Sequence, residues 1–233
     1  QNAGYGSWDA LIESTLTGAP PIPAFRVDSK ENRLAPQRFM TDAEWDDLIE
    51  VMRERRIGAL EVAGQLTDAR LARVAELEHV TSLSLGGARL LTDQGLQHLA
   101  RMPQLTHLNL SQYPGGSLTD RSLEILRHLP NLRTFQMTWQ RGITDAGVSH
   151  LAACDRLGQG DLMGTPTGDG DIEAVQGKPM LRVFKSGRLV TDAGLALLKN
   201  FPRLQRLERG EASDHEEGGA GAQHLIDGPF TDA

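Results

Sequence analysis

Three alternating acidic residues, Asp169, Asp171 and Glu173, have the residue types and spacing of a calcium-binding loop. Carboxylate oxygens are ligands that Ca²⁺ prefers, but the EF-hand loop also needs a glycine and a distant glutamate at fixed positions. The sequence has neither residue at the required position. We therefore expect these acids to lie at the start of a helix, where the helix dipole favours negative charge.

Other groups that could do chemistry are few. His215, Glu216 and Glu217 could ligate a metal, but no second histidine stands at ligand spacing. Cys154 would need a base such as His150 to become a nucleophile, and a small buried residue is the simpler interpretation. The chain has no GxSxG, P-loop or HExxH motif. We expect no catalytic residues, no metal and no cofactor, so the protein is predicted not to be an enzyme.

The composition excludes several classes of partner. The chain has 233 residues, a formal net charge of −7 and 24% charged residues, so a basic footprint for nucleic acid or anionic lipid is missing. No apolar run is long enough to cross a membrane, and no small-molecule substrate is indicated. The single cysteine excludes an internal disulfide framework and favours a reducing compartment, the cytoplasm.

A short sequence motif recurs along the chain, and the elements that it defines must position any binding surface. A Thr-Asp pair returns every 23 to 27 residues, with one degenerate Gly-Asp copy in the series. The pairs begin at Thr41, Thr67, Thr92, Thr119, Thr144, Gly168 and Thr191. A second pattern, LxxLxL, keeps the same step, and prolines precede four of its copies. Two patterns that drift together indicate an internal structural repeat.

One repeat, residues 91–110, shows the physical logic of the unit. Thr92 is a good helix N-cap, and Asp93 places negative charge at the positive end of the helix dipole. Leu96 and Leu99 give a short helix one apolar stripe, and the leucines of residues 105–110 have the alternation of a strand. Glycine then often ends the strand, as at Gly64, Gly87 and Gly164, where the turn favours positive φ. Units of this kind stack their strands in parallel because one unit cannot bury its own apolar face.

These TDxGLxxL and LxxLxL units resemble the leucine-rich repeat proteins, in particular the helix-containing class like ribonuclease inhibitor and bacterial proteins with TDAGL repeats. The resemblance covers roughly residues 41–210. It implies an α/β horseshoe-shaped solenoid, with a parallel sheet on the concave side and helices on the convex side. The chain departs from the family past LxL, where Asn, Cys or Thr is usual. Here the segments read AGQ, GGA, SQY, TWQ and MGT, and only Thr165 matches.

Four segments are predicted from these patterns. Residues 1–40 carry no repeat and are expected to cap the first coil; a docking element or the stub of a preceding domain is the alternative. Residues 41–210 hold about seven repeats. The acidic, glycine-rich residues 211–223 are expected to form a mobile loop, and residues 224–233 to begin a further repeat. We accordingly expect a fragment of a longer repeat protein, with a frayed terminus as the alternative.

The candidate binding residues follow from the strand pattern. Residues between the strand leucines face the concave side, and large residues just beyond the strands lie along one edge. Trp, Tyr, Arg and Met are enriched among interface hot spots. A pair such as Tyr113 and Trp139 could instead pack on each other and bridge two coils. The predicted partner-binding residues are His107, Asn109, Tyr113, Gln136, Trp139, Arg141, Asp161 and Met163.

A surface of this kind predicts a non-catalytic scaffold that holds an unknown protein partner. A structural or regulatory arm of a longer chain is the first alternative, and a subunit of an enzyme is the second. An enzyme would need a cluster of titratable groups on the concave face. His107, Asp161 and Glu208 are expected to be too far apart to form one.

Overall fold

The computed structural model describes residues 23–62, 64–87, 89–112, 117–210 and 224–227. These residues form a ten-stranded sheet in which every strand pairs with its sequence neighbours. The strands are β1 (Phe25–Asp28), β2 (Arg33–Pro36), β3 (Ala59–Glu61), β4 (Ser82–Ser84), β5 (His107–Asn109), β6 (Thr134–Gln136), β7 (Gln159–Asp161), β8 (Val183–Lys185), β9 (Arg206–Arg209) and β10 (His224–Asp227).

Strands β2 to β9 pair in parallel and in register, so each coil stacks on the one before it. The middle residue of each strand points to the core, as Leu83, Leu108 and Phe135 do on consecutive strands. This arrangement buries the apolar side of every unit against its neighbours. The predicted solenoid with a parallel sheet is confirmed.

Both outer strands of the sheet run against the others. β1 pairs antiparallel with β2, and β10 pairs antiparallel with β9. Residues 224–233 were expected to begin a further repeat, whose strand would lie parallel to β9. His224–Asp227 instead returns along β9, because its first residue pairs with Arg209, the last residue of that strand. Residues 1–22 of the predicted cap and the predicted loop 211–223 lie outside the described residues.

The connections between strands are short helices that begin at the repeated aspartates. The α-helices are α1 (Asp42–Glu54), α2 (Asp68–Val74), α3 (Asp93–Leu96), α4 (Asp145–Val148), α5 (Asp169–Val175) and α6 (Asp192–Leu195). The 3₁₀ helices are η1 (Gln97–Arg101), η2 (Asp120–His128), η3 (Ser149–Ala153) and η4 (Ala196–Asn200). Thr41 and Glu44 form the capping box that the sequence predicts. From Asp93 onward every coil except that of α5 uses the tighter 3₁₀ geometry for part or all of its helix.

The Thr-Asp pairs join neighbouring coils as well as capping helices. The carboxylate of Asp93 accepts hydrogen bonds from the backbone nitrogen of Thr119 (2.8 Å) and from its hydroxyl (2.5 Å). The same two bonds join Asp68 to Thr92, Asp120 to Thr144 and Asp169 to Thr191. Asp145 meets Gly168 and keeps only the backbone bond, at 2.7 Å. The sequence interpretation assigned these aspartates to the helix dipole and missed this contact between coils.

The glycine of the TDxG phrase leaves room for that aspartate. A Cβ atom added at Gly147 would lie 2.9 Å from the Cα atom of Asp120 in the preceding coil and still closer to its carboxylate. Gly95 and Gly194 meet Asp68 and Asp169 in the same way. The phrase therefore encodes one bridge between coils, in which threonine donates, aspartate accepts and glycine provides the space.

Two departures from the repeat are compensated by their neighbours. Gly160 stands where the other strands have a large apolar residue, and the ring of Phe184 on the next strand occupies the space, 2.7 Å from an added Cβ atom. Beyond the strands, Gln65 and Gln140 stand at the position that Thr165 holds in its own coil. Gln65 donates to the carbonyl of Arg38 (2.9 Å), and Gln140 donates to the carbonyl of Leu110 (2.9 Å). The longer amide side chain thus pairs buried backbone groups.

Candidate functional site

The sheet face opposite the helices, called here the open face, presents the residues predicted for the concave side. In each strand of the repeat the residues on either side of the buried middle residue lie on this face. His107 is exposed, and Asn109, Gln136 and Asp161 are half-buried. The parallel register aligns Asn109, Gln136 and Asp161 on adjacent strands. The structure therefore brings these three predicted residues into one row, with His107 at the other end of β5.

The middle of the open face is polar and uncharged. Ser82, Thr134, Gln136 and Gln159 have side chains that form no hydrogen bond or ion pair with the described residues. Asn109 is more constrained, since its side-chain oxygen accepts from the backbone nitrogen of Ser111 (2.9 Å). These strands offer hydrogen-bonding groups that the protein itself does not use.

His107 lies at the rim of an open hollow of about 420 Å³. The hollow sits at the amino ends of the first strands, between Arg33, Thr81 and Thr106. The imidazole Nδ1 of His107 lies 2.7 Å from the hydroxyl of Thr106, which orients the ring. The hollow was not predicted from the sequence, because its walls come from residues at the amino ends of four different strands.

The end of the open face that includes β7 to β9 carries a charged cluster. The ammonium of Lys185 lies 2.9 Å from a carboxylate oxygen of Glu208 and 3.8 Å from one of Asp161. Burial raises the pKa of Asp161, while the backbone hydrogen bond from Met163 and the charge of Lys185 oppose that rise. A hydrogen bond from Lys185 to Glu208 raises the pKa of the lysine. The prediction that Asp161 and Glu208 are too far apart to form a cluster is wrong, because Lys185 on the intervening strand joins them.

Trp139 holds an unusual backbone conformation just beyond β6. Its φ of 61° lies in the left-handed region, where the equivalent positions in other coils are Gly64, Gly87 and Gly164. A non-glycine residue there costs about 1–2 kcal/mol. The indole packs over Gly164 of the next coil, where an added Cβ atom would lie 2.5 Å from its Cδ2 atom. The ring therefore lies across two coils and keeps 37% of its surface exposed.

The other residues predicted at this edge divide into three groups. Arg141 is exposed, and Met163 is half-buried, with its carbonyl accepting from the backbone nitrogen of Trp139 (2.9 Å). Tyr113 lies outside the described residues, so its contact with Trp139 stays a prediction. Gln140, which follows Trp139, is fully buried, and its side-chain amide donates to the carbonyl of Leu110.

The alternating acids have three different environments. Asp169 bonds to Thr191 of the next coil and Glu173 is exposed. Asp171 is fully buried and accepts hydrogen bonds from the hydroxyl of Thr167 (2.8 Å) and the backbone nitrogen of Gly187 (2.7 Å). Burial raises the pKa of Asp171 to about 7. Asp169 and Asp171 lie in the first turn of α5, as expected. Asp171 is buried because it stands at the position that Gly95, Gly147 and Gly194 hold in other coils.

Cys154 is fully buried, and burial raises the pKa of its thiol to about 11. Its S–H group donates weakly to the carbonyl of Leu126, at 3.6 Å. Within the described residues no three histidine, cysteine or acidic side chains are grouped so that they could hold a metal ion. None of the helices described is long and apolar enough to cross a bilayer.

No protein-family model matches the chain, and no curated protein matches it. Solved structures do. Internalin C2 from Listeria monocytogenes matches with a TM-score of 0.54 at 22% identity, over 70% of this chain and 66% of that one. The Rad7–Elc1 complex of yeast matches with a TM-score of 0.51 at 15% identity, over 74% of this chain and 54% of that one. The protein has a leucine-rich repeat fold.

The internalin InlF of Listeria monocytogenes is a further match, with a TM-score of 0.49 and 22% identity over 67% of this chain. This chain spans 41% of the length of that internalin and 66% of the length of internalin C2. Within this leucine-rich repeat solenoid, the open face and the edge at Trp139 are the surfaces that the strands position most regularly.

Proposed function

We propose that the protein is a non-catalytic scaffold that binds a protein partner through the open face and the adjoining edge at Trp139. The observation that carries the proposal is the set of unused polar side chains on the middle strands. Ser82, Thr134, Gln136 and Gln159 face outward and have no hydrogen-bonding partner among the described residues. A protein partner would supply hydrogen bonds across this face and exclude water from it.

Trp139 supports the same proposal as an anchor. Its exposed ring lies beside the row of Asn109, Gln136 and Asp161, and tryptophan is the residue type most enriched among interface hot spots. The left-handed backbone at Trp139 has an energetic cost that a glycine would avoid. Strained residues of this kind cluster at functional sites.

The charged cluster at the end of the open face would set the orientation of a bound partner. Lys185 balances Asp161 and Glu208, so the cluster presents both signs of charge within one area. Charges of this kind act more on specificity and association rate than on affinity. The yeast match was solved as a complex of Rad7 with Elc1, which is consistent with this fold in a protein assembly.

The test is capture of binding proteins from source-cell lysate on immobilised protein, followed by mass spectrometry. Three baits are compared: the unchanged protein, a Trp139→Gly variant that also carries Gln136→Ala, and a matched Phe39→Ala variant. Trp139→Gly removes the ring while accommodating the positive φ, so the fold is preserved. Phe39 is also an exposed aromatic residue, with 63% of its surface accessible, but it lies in the first coil.

We expect at least one protein to bind the unchanged bait and the Phe39→Ala bait and to be lost from the Trp139→Gly, Gln136→Ala bait. Removal of one hot-spot side chain costs about 2 kcal/mol or more, which is a loss of about thirtyfold in affinity. Identical protein sets on all three baits would contradict the proposal. That outcome would favour a structural arm whose open face contacts no partner.

A further inference from the structure

A row of arginines lies along the amino edge of the last four repeat strands, and the proposed function uses none of them. Its members are Arg133, Arg156, Arg182 and Arg203, and all four are exposed. We call this set the arginine row. Arg133 and Arg182 directly precede β6 and β8, whereas Arg156 and Arg203 stand three residues before β7 and β9.

The backbone ladder fixes the spacing of these arginines. The carbonyl of Arg133 accepts from the backbone nitrogen of Gly158 (2.8 Å), and the carbonyl of Gly158 accepts from that of Arg182 (2.9 Å). Arg133 and Arg182 are therefore two strands apart, about 10 Å, because neighbouring strands lie about 4.8 Å apart. The same register places Met180 between Arg156 and Arg203. The row zigzags over four coils, a span of about 15 Å.

The arginine row lacks the counter-charges that several arginines of the first coils have. In the first coils, Arg33 pairs with Glu61 (2.5 Å), Arg38 with Glu44 (2.5 Å) and Arg70 with Asp42 (2.6 Å). The four arginines of the row form no ion pair with the described residues. Arg156 instead donates to the side-chain oxygen of Asn131, at 2.8 Å.

Four unpaired guanidinium groups on an edge of a chain with a net charge of −7 form a local reversal of sign. At physiological ionic strength the Debye length is about 8 Å, so a ligand at this edge responds to the row, and to the exposed Asp155 beside Arg156, more than to the acids of other coils. Guanidinium groups bind carboxylates through two parallel hydrogen bonds. An extended peptide of about five residues spans the length of the row.

We propose that the arginine row is a second binding site, which takes an acidic, extended segment of a protein. Met180 favours a peptide over a nucleic acid, because half of its surface is exposed between two of the arginines and offers an apolar contact to side chains. The row and its central methionine include no aromatic ring on which bases could stack. These residues are Arg133, Arg156, Met180, Arg182 and Arg203. The arginine row shares no residue with the surface of the proposed function, and its own variants test it, so it stands or falls independently of that function.

The test measures binding of a fluorescein-labelled peptide of ten glutamates by fluorescence anisotropy at physiological ionic strength. The row variant carries Arg133→Gln, Arg182→Gln and Arg203→Gln. The matched control carries Arg53→Gln, Arg55→Gln and Arg121→Gln, three exposed arginines remote from the row. Both variants lose three positive charges, so both have the same net charge. Circular dichroism of each variant verifies the fold.

We expect the unchanged protein to bind the glutamate peptide, the row variant to bind it at least tenfold more weakly, and the control to differ by less than twofold. Equal weakening in both variants would overturn the proposal, since it would assign binding to overall charge. Failure of the unchanged protein to bind would overturn it too. A labelled oligonucleotide of ten thymidines is tested in the same way. If it binds more tightly than the peptide and also depends on the row, the ligand of the row is a nucleic acid and the proposal is overturned.

Discussion

The carboxylate of Asp120 accepts two hydrogen bonds from Thr144 in the next coil, one from the backbone nitrogen and one from the hydroxyl, each 2.7 Å long. Three other pairs of coils repeat this bridge with both bonds. Because each coil depends on its neighbours for burial, a contact that fixes one coil on the next acts on the stability of the whole stack.

Replacement of Asp120 by alanine should destabilise the protein by about 1.5–3 kcal/mol, the usual value for hydrogen bonds to a charged group. The matched control is Asp42→Ala. Asp42 begins a helix in the same way, but its side chain is 94% exposed and pairs with Arg70 instead of the next threonine. The control should cost less than about 1 kcal/mol, as exposed ion pairs do. Urea unfolding monitored by circular dichroism compares the two, and equal losses would assign the effect to the helix dipole.

Substitution of Gly147 by alanine should also destabilise the protein, by about 1–3 kcal/mol, although alanine is the better helix former. The reason is that the new Cβ atom would lie 2.9 Å from the Cα atom of Asp120. Gly86→Ala is the matched control, because its added Cβ atom would meet only the carbonyl of Ser111, at 3.7 Å. The control should stay within about 0.5 kcal/mol. A stabilised Gly147→Ala protein would show that the coils shift apart without cost.

These two predictions mark where sequence reasoning reached its limit. The sequence predicts the features that depend on a local pattern. These are the repeat period, the strand positions, the threonine caps and the outward row containing Asn109, Gln136 and Asp161. The bridge from Asp120 to Thr144 was not, since its partners lie 24 residues apart and only the register of the stack brings them together. The burial of Gln140 depends on the same register, because its amide bonds to the carbonyl of Leu110, 30 residues away.

The candidate binding surface likewise has features that the sequence predicts and features that only the structure shows. Exposure of Trp139 followed from its position beyond the strand. Its left-handed backbone could also have been inferred, because Gly64, Gly87 and Gly164 occupy the equivalent position in other coils. The cluster of Asp161, Lys185 and Glu208 was missed because distance was judged by repeat count, whereas Lys185 reaches both neighbouring strands. The arginine row could have been found by marking charged residues on either side of the first leucine of each LxxLxL.

Asp171 should make stability fall as pH rises between about 4 and 7. Burial raises the folded-state pKa to about 7 from an ordinary value of 3.8, so the folded protein holds a proton that the unfolded chain has lost. Over this range each pH unit costs up to about 1.4 kcal/mol of unfolding free energy from this group. Above the folded-state pKa, Asp171 is ionised in both the folded and the unfolded state. Its effect on the free energy of unfolding then no longer changes with pH.

The variant Asp171→Asn tests this dependence. Its amide oxygen can accept from Thr167 and Gly187 as the carboxylate does, without a buried charge. We expect the variant to be more stable than the unchanged protein at pH 8, with the difference vanishing near pH 4. Urea unfolding at several pH values measures the difference, and Asp192→Asn, at an exposed aspartate, is the control. A difference that does not change with pH would contradict the assignment.

Lys185→Met should destabilise the protein by about 1–3 kcal/mol at pH 7, because it leaves the carboxylates of Asp161 and Glu208 without the cation between them. The expected loss is below that of a fully buried pair, since 30% of the lysine side chain is exposed. Loss of Lys185 also removes a charge that lowers the pKa of Asp161, so that pKa should rise further.

The double variant Lys185→Met, Glu208→Gln should recover at least half of the lost stability, because one of the two uncompensated charges is gone. Urea unfolding of both single variants and the double variant completes the cycle. Additive losses would mean that Lys185 and Glu208 act independently, in spite of the 2.9 Å between them.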